Sequence, residues 1–451
     1  MSTLPTKAYE EIVNLASKSA VSLVRFIFCD TSSIIRGKAT KVERLRDRLE
    51  SGIGLVKGTM AMNMLDQTQF GTGLSATGEI RLVPDPDTWT VLPYCDRSAA
   101  MICDLVELDH KPWVMCPRTL LKRQIASAKE MGLSFQVSFE PEFMLGNWVD
   151  GRFVFIDDSR CFSTDGMNRA SKFINRFADC LERQNIEVEQ YYPEYGPGQH
   201  ELSIRHAEAL RACDRHIYYR ETLRGVAAEQ NIEAFLAPKP FADKIGNGCH
   251  LHVSVWDAYG ERNLLWSDSG LSDFGRYFVA GMLAHLKGIV ALTCASVNSY
   301  RRLKPNSWSS AYTCWGFENR EAAIRIPSVY WGQEMATTNI ELKCVDSSSN
   351  PYLALAAVIA AGIDGVKRQL ELPSQVSVNP STLSEEEMEH SKVERLPQSL
   401  QEALNELQKD QLLMNMLGEF GPVYIGVKSS ECGAFAAADD EFELSHHRSI
   451  F

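Results

Sequence analysis

Apolar positions near the start of the chain recur with helical spacing and then switch to strict alternation. Tyr9, Ile12, Val13, Leu15 and Ala16 share one side of a helix over residues 6–18. From Ser22 to Cys29 the period becomes two, with Leu23, Arg25 and Ile27 set against Val24, Phe26 and Phe28, which predicts a strand. Asp30-Thr-Ser-Ser33 has turn chemistry, so Ile34–Ala39 returns as the second arm of a hairpin. Short strands are expected at Arg81–Val83, Trp89–Leu92 and Ala99–Leu105, around Pro84-Asp-Pro-Asp87.

Cys116-Pro117-Arg118 opens a helical pattern over Thr119–Lys129, and a boundary falls between residues 108 and 116. This gives a small, strand-rich first domain over 1–112 and a larger second one over 113–451. The second domain should hold strands over Phe135–Leu145, Ile186–Tyr192, Glu201–Ile204 and His250–Val255, with helices over Met167–Gln184 and Ala207–Glu229. Beyond Pro351 the pattern is mostly helical, with an acidic surface segment at Glu385–Glu394 and Pro397-Gln-Ser-Leu400 capping a last long helix. Strands recur too irregularly for repeated βαβ units, so the class is α+β.

Composition narrows the function. The chain is 451 residues long, 45% hydrophobic and 23% charged, enough to bury a large core. A formal charge of −12 argues against nucleic acid and anionic membranes, which attract basic surfaces. The longest apolar stretch, Leu353–Ile363, is Ala-rich and too short to span a bilayer, which takes about 20 residues. No secretory signal pattern opens the sequence, and the 12 cysteines form no Cys-x-x-Cys pair; reduced thiols in the cytoplasm are expected.

Six side chains read as one two-metal site: Glu140 and Glu142 in Phe139-Glu-Pro-Glu-Phe143, Glu194 and Glu201 around Gly196-Pro-Gly198, His250, and Glu341. Carboxylates with an imidazole suit Mg²⁺ or Mn²⁺. Strand alternation puts Glu140 and Glu142 on one side, and likewise His250 and His252, while the Gly-Pro-Gly bend can bring Glu194 and Glu201 together. Two such ions can clamp a phosphoryl group in transfer. No P-loop and no Gly-x-Gly-x-x-Gly turn is present, so nucleotide phosphates would rely on metals and on arginines such as Arg320 and Arg325. The apolar segment Ala322–Pro327 favours a buried role for both arginines.

Together with Glu194-Tyr-Gly-Pro-Gly-Gln-His-Glu201, Pro238-Lys-Pro240, Gly246-Asn-Gly-Cys-His-Leu-His-Val-Ser254, Asn298-Ser-Tyr-Arg-Arg-Leu303, Asn319-Arg-Glu-Ala-Ala-Ile-Arg-Ile-Pro327 and Asn350-Pro-Tyr352, the chain resembles the glutamine synthetase superfamily over nearly its whole length. The resemblance implies an N-terminal β-grasp domain, a catalytic domain with a curved antiparallel sheet, and a homo-oligomer of stacked hexameric rings, a dodecamer, with sites between subunits. It implies ATP as cofactor and activation of glutamate as a γ-glutamyl phosphate. Glu142, Glu194 and Glu201 resemble the ligands of one metal, and Glu140, His250 and Glu341 those of the second. His252 and Ser254 match positions near the nucleotide, Arg320 and Arg325 phosphate-contacting arginines, and Arg302 the arginine on the glutamate α-carboxylate. Gly246, Asn247 and Lys343 fall among the residues that border glutamate.

The departures from the family pattern concern the nitrogen donor. Where glutamine synthetases carry a loop glutamate that helps deprotonate ammonium, this chain has Trp308. The Phe-Asp-Gly-Ser-Ser segment whose aspartate binds ammonium is replaced by Lys57-Gly-Thr-Met-Ala-Met-Asn-Met-Leu65, whose Met60, Met62 and Met64 would share a strand face. An indole and methionines accept no proton, but an indole face attracts a larger, alkylated cation. Ile245, Lys343 and Asn339 replace an asparagine and two arginines at the acid and nucleotide sites. The resulting expectation is a ligase joining glutamate to an organic amine as a γ-glutamylamide. The alternatives are glutamine synthesis with Asp66 or Glu318 substituting as the acid, and a catalytically silent structural or regulatory homologue.

Overall fold

A computed structural model describes residues 6–451. The first part folds around a six-stranded sheet of β1 (Leu23–Cys29), β2 (Ile35–Lys41), β3 (Ile53–Val56), β4 (Glu79–Pro84), β5 (Thr90–Val91) and β6 (Ser98–Val106). Its order is β2-β1-β6-β4-β3, with β5 beside β6. The predicted hairpin is β1–β2, and β1 also runs parallel to β6, so a mixed sheet forms. Val24, Phe26 and Phe28 face the core, as the alternation requires.

The second part is built on a ten-stranded sheet. Its strands are β7 (Leu133–Val149), β8 (Arg152–Phe155), β9 (Val188–Pro193), β10 (Gln199–Ile204), β11 (Ala207–Glu208), β12 (Glu233–Phe235) and β13 (Cys249–Asp257). After the small β14–β15 ribbon (Trp266–Ser267 and Gly270–Leu271) come β16 (Trp315–Phe317), β17 (Ile324–Ile326) and β18 (Ile340–Leu342). The spine runs β16-β17-β18-β13-β7-β10-β9, antiparallel throughout except at β16–β17. The class is α+β.

β7 organises this sheet. Phe135, Val137, Phe139 and Phe143 point into the core, each burial contributing about 1.5–3 kcal/mol, so Ser138, Glu140 and Glu142 must take the other face. The Ala-rich stretch lies in a helix over Pro351–Arg368 that is buried almost all round, as a helix without a polar side must be. Two corrections concern local structure. Lys57–Ala61 is a 3-10 turn rather than a strand, so Met60 and Met64 are core residues while Met62 is half-buried. The helix capped by Ser399, Leu400–Lys409, is followed by three more: Gln411–Leu417, Phe420–Ala436 and Asp440–Ile450.

The two parts are fastened by buried polar contacts. Arg118 reaches Asp214 at 2.8 Å, Asp85 at 2.8 Å and Asp104 at 3.0 Å, while the Tyr352 hydroxyl donates to Asp214 at 2.7 Å. Arg220 donates to the Ser33 carbonyl at 2.9 Å, fixing the β1–β2 turn against the second part.

Candidate active site

Strand register lines up the charged residues across one sheet face. Arg325 of β17 lies opposite Glu341 of β18, and Glu341 opposite His252 of β13. His250 pairs with Glu140 of β7, Glu142 with Glu201 of β10, and Glu201 with Tyr192 of β9. A period of two guarantees that all of them share this side. Glu194 follows β9 directly; the bend at Gly198, with φ +59°, turns the chain so that the Glu194 N–H meets the Gln199 carbonyl at 2.8 Å.

The side chains converge closely. His252 Nε2 is 3.0 Å from Glu140 and its Nδ1 2.9 Å from Asn339 Oδ1. His250 lies 3.5 Å from Glu341 and 4.0 Å from Glu142. Glu341 also holds Arg325 at 2.7 Å and Lys343 at 3.6 Å. Two triads bring ligand atoms within 4.8 Å of one another: Glu140–Glu201–His250 and Glu140–His252–Glu341. His252, placed near the nucleotide by the resemblance, therefore reaches the carboxylates as well.

Electrostatics divide the cluster. Burial raises the Glu142, Glu194 and Glu201 carboxyls, with neighbouring carboxylates adding to it, and Glu194 stands at about 7. Burial holds His250 well below the ordinary imidazole value. Burial opposes charge on His252 too, but Glu140 and Glu341 outweigh it and lift the imidazole to about 9. Glu341 is lowered despite burial, because Lys343 and both histidines surround it. Clustered carboxylates short of positive charge, beside a neutral imidazole, fit divalent cations by donor type.

Residues outside the cluster divide between contact and support. Arg302 is buried; its Nη2 donates to the Val345 carbonyl at 2.7 Å and its Nε is sealed without a partner, while Nη1, unpaired and not sealed, is left as a donor for an acid substrate. Gly246 is sterically required, since a Cβ there would lie 2.4 Å from the Pro238 carbonyl and 2.9 Å from Arg302 Cγ. Asn247 spends its amide on the Phe235 and Ala237 carbonyls, and so shapes the loop. Ser254 accepts the Trp256 indole N–H at 2.9 Å. Asn339 reads from sequence as a lost arginine contact and here orients His252. Arg320 corrects the sequence reading: it is exposed, ahead of β17, although its charge acts on Glu194. Of the two acids named as substitutes, Asp66 pairs with Arg36 at 2.7 Å and Glu318 lies exposed.

Sequence reasoning passed over Gln199 and Gly248. Gln199 Nε2 donates to Glu142 at 3.0 Å, the Gly246 carbonyl at 2.9 Å and Asn247 Oδ1 at 3.0 Å, tying three segments to one carboxylate of the cluster. Its place in the glycine-rich hairpin, two residues before Glu201 on the same strand, was the available signal.

A glutamine synthetase N-terminal domain family model matches residues 8–113 and the glutamine synthetase catalytic domain model residues 114–447. The chain belongs to the glutamine synthetase family. Glutamine synthetase from Pyrococcus abyssi is 32% identical over 427 residues, covering 93% of this chain and 92% of its own. Gamma-glutamylpolyamine synthetase GlnA3 from Streptomyces coelicolor is also 32% identical, over 433 residues, with 93% and 92% covered. Among solved structures, a novel glutamine synthase homolog superposes with a TM-score of 0.85 at 32% identity, covering 96% of this chain and 99% of that one. A GmaS/ADP complex does so with 0.84 at 26%, covering 96% and 98%. The family carries out ATP-dependent carbon–nitrogen ligation with divalent metals, and that is the chemistry of this chain. No helix among the described residues is long and apolar enough to cross a membrane.

Proposed function

We propose that this glutamine synthetase family member joins the γ-carboxylate of glutamate to an organic amine, giving a γ-glutamylamide, ADP and phosphate. The observation that carries the reading is at Trp308. Its indole is 49% exposed and packs edge-on against Tyr195, ring centres 5.0 Å apart, directly beside Glu194. By the family resemblance position 308 is where ammonium chemistry wants an acid, and an aromatic pair there suits an alkyl, alkanol or aromatic substituent. The similarity to a gamma-glutamylpolyamine synthetase supports an organic amine; equal similarity to plain glutamine synthetases keeps ammonium as the competing donor.

In this reading Glu142, Glu194 and Glu201 hold one Mg²⁺ or Mn²⁺, and Glu140, His250 and Glu341 the other, with His252 reinforcing the second group and Ser254 bordering the nucleotide. Bound metals supply charge neutralisation for the transferring phosphoryl group. Arg325, held by Glu341, and the exposed Arg320 add guanidinium donors for ATP phosphates. Arg302 takes the glutamate α-carboxylate through its guanidinium, Gly246 and Asn247 border it, and Lys343 faces its γ-end. The domains divide near residue 112, the chain works in the cytoplasm, and it assembles into stacked rings. Exchanging Trp308→Glu tests the donor assignment: ammonium turnover should rise and organic amine turnover fall, and unchanged preferences would refute it.

A further inference from the structure

Glu321 is a buried acid with no counter-charge. Its residue is 8% exposed, and no Lys, Arg or His side chain among the described residues pairs with it. Its backbone is rigidly placed: Asn319 Oδ1 accepts the Glu321 N–H at 3.0 Å, and Asn319 Nδ2 donates to the Val376 and Val378 carbonyls at 2.8 and 2.9 Å. One carboxylate oxygen accepts the Trp308 N–H at 3.0 Å, and the other has no hydrogen bond from the described residues. That second oxygen is unpaired yet not sealed from solvent, so it is open to a cation from outside the chain.

The surroundings say which cation. Trp308 is held with φ +53°, between Asn306 at +60° and Ser310 at +66°, a run of left-handed residues that a bulky indole adopts only under constraint. Ser310 Oγ donates to the Ala322 carbonyl at 2.9 Å, a second tie from this loop to the Glu321 segment. The loop thus joins Glu321 to the Trp308–Tyr195 pair and, through Tyr195, to Glu194. A carboxylate tied to the backbone of the residue that carries the aromatic pair is matched by a primary ammonium bearing an apolar substituent.

We infer that Glu321 receives the ammonium group of the incoming amine, replacing the acid absent from position 308, while Trp308 and Tyr195 flank the substituent. The inference rests on the ligase reading above. It also predicts why a latch of this loop is a carboxylate rather than a neutral amide: one oxygen fixes the wall and the other binds the cation.

The test uses the full chain with ATP and glutamate, and compares n-butylamine, ethanolamine and benzylamine with hydroxylamine. The three amines are protonated at slightly alkaline pH, while hydroxylamine is neutral and needs no charge partner. Glu321→Gln retains a carbonyl that can accept the Trp308 N–H, and Glu321→Asp retains the charge. For Glu321→Gln, the ratio of kcat/KM with the best amine to that with hydroxylamine should fall about 30-fold, the loss expected for one charge-assisted hydrogen bond. Glu321→Asp should restore most of that ratio. A parallel loss with both nucleophiles in both variants would reduce Glu321 to a loop latch, and an unchanged ratio would also overturn the assignment. If wild-type protein uses ammonium and none of the amines, the organic amine reading fails, and the same ratio taken with ammonium still decides the role of Glu321.

Discussion

Glu142 and Gly248 hold each other reciprocally: the Gly248 N–H donates to the Glu142 carboxylate at 3.0 Å, and the Glu142 N–H donates to the Gly248 carbonyl at 3.0 Å. A carboxylate proposed as a metal ligand is thereby fixed from both its backbone and its tip. A Cβ at 248 would lie 2.8 Å from His250 Nε2 and 3.0 Å from Glu142 Oε1. Gly248→Ala should therefore weaken metal affinity, on the order of 10–100-fold as for other groups supporting a ligand. Titration with Mn²⁺ followed by phosphate release checks it; full activity at low metal would contradict it.

Removing a ligand outright should do more. Glu142→Ala and Glu194→Ala are each expected to abolish phosphate release with any amine while leaving the proposed assembly intact, because in the proposed site the metals organise the phosphoryl group. Light scattering alongside a phosphate assay reads both. Near-normal turnover at modest metal concentration would remove these residues from the site.

Much of this site was legible because strand alternation and register are arithmetic: once Glu140 and Glu142 lie on one strand, their face is determined, and His250 and His252 follow on the next. Phe135, Val137 and Phe139 mark the opposite face in the same way. What escaped was set by tertiary contacts. Gln199 reads as one polar residue in a turn until three segments meet at its amide. Glu321 reads as part of a motif until burial strips it of a counter-charge. Arg320 reads as buried from its apolar neighbours, yet the turn ahead of β17 carries it outward.

Arg118 makes a stability prediction. Arg118→Met leaves the buried Asp214 without a cation, and leaves Asp104 and Asp85 with Lys122 alone, at 2.5 and 3.8 Å. Breaking such a buried network costs about 3–5 kcal/mol. Urea denaturation should show the loss, and Asp214→Asn together with Arg118→Met should recover part of it.

His285 makes a pH prediction. It joins two helices and sits 2.7 Å from Asp410 and 3.2 Å from Asp364, whose pull outweighs burial and raises its folded pKa. The sign follows from linkage: its contribution is fully present below the unfolded value, ordinarily about 6.5, and is lost as pH rises through the raised folded value. His285→Gln should lower the melting temperature below that unfolded value, and the gap to wild type should close as the solution becomes alkaline. A gap that widens with pH would contradict the assignment.

Phosphate release from ATP and glutamate by the wild-type protein, compared across ammonium and a panel of alkyl, alkanol, aromatic and diamine donors, tests the central claim most directly. The account predicts that at least one organic amine gives a kcat/KM well above that of ammonium, with several-fold gains per added methylene that the Trp308–Tyr195 wall can cover. Efficient use of ammonium with no organic amine competing would contradict it and make the protein a glutamine synthetase with an unusual amine pocket.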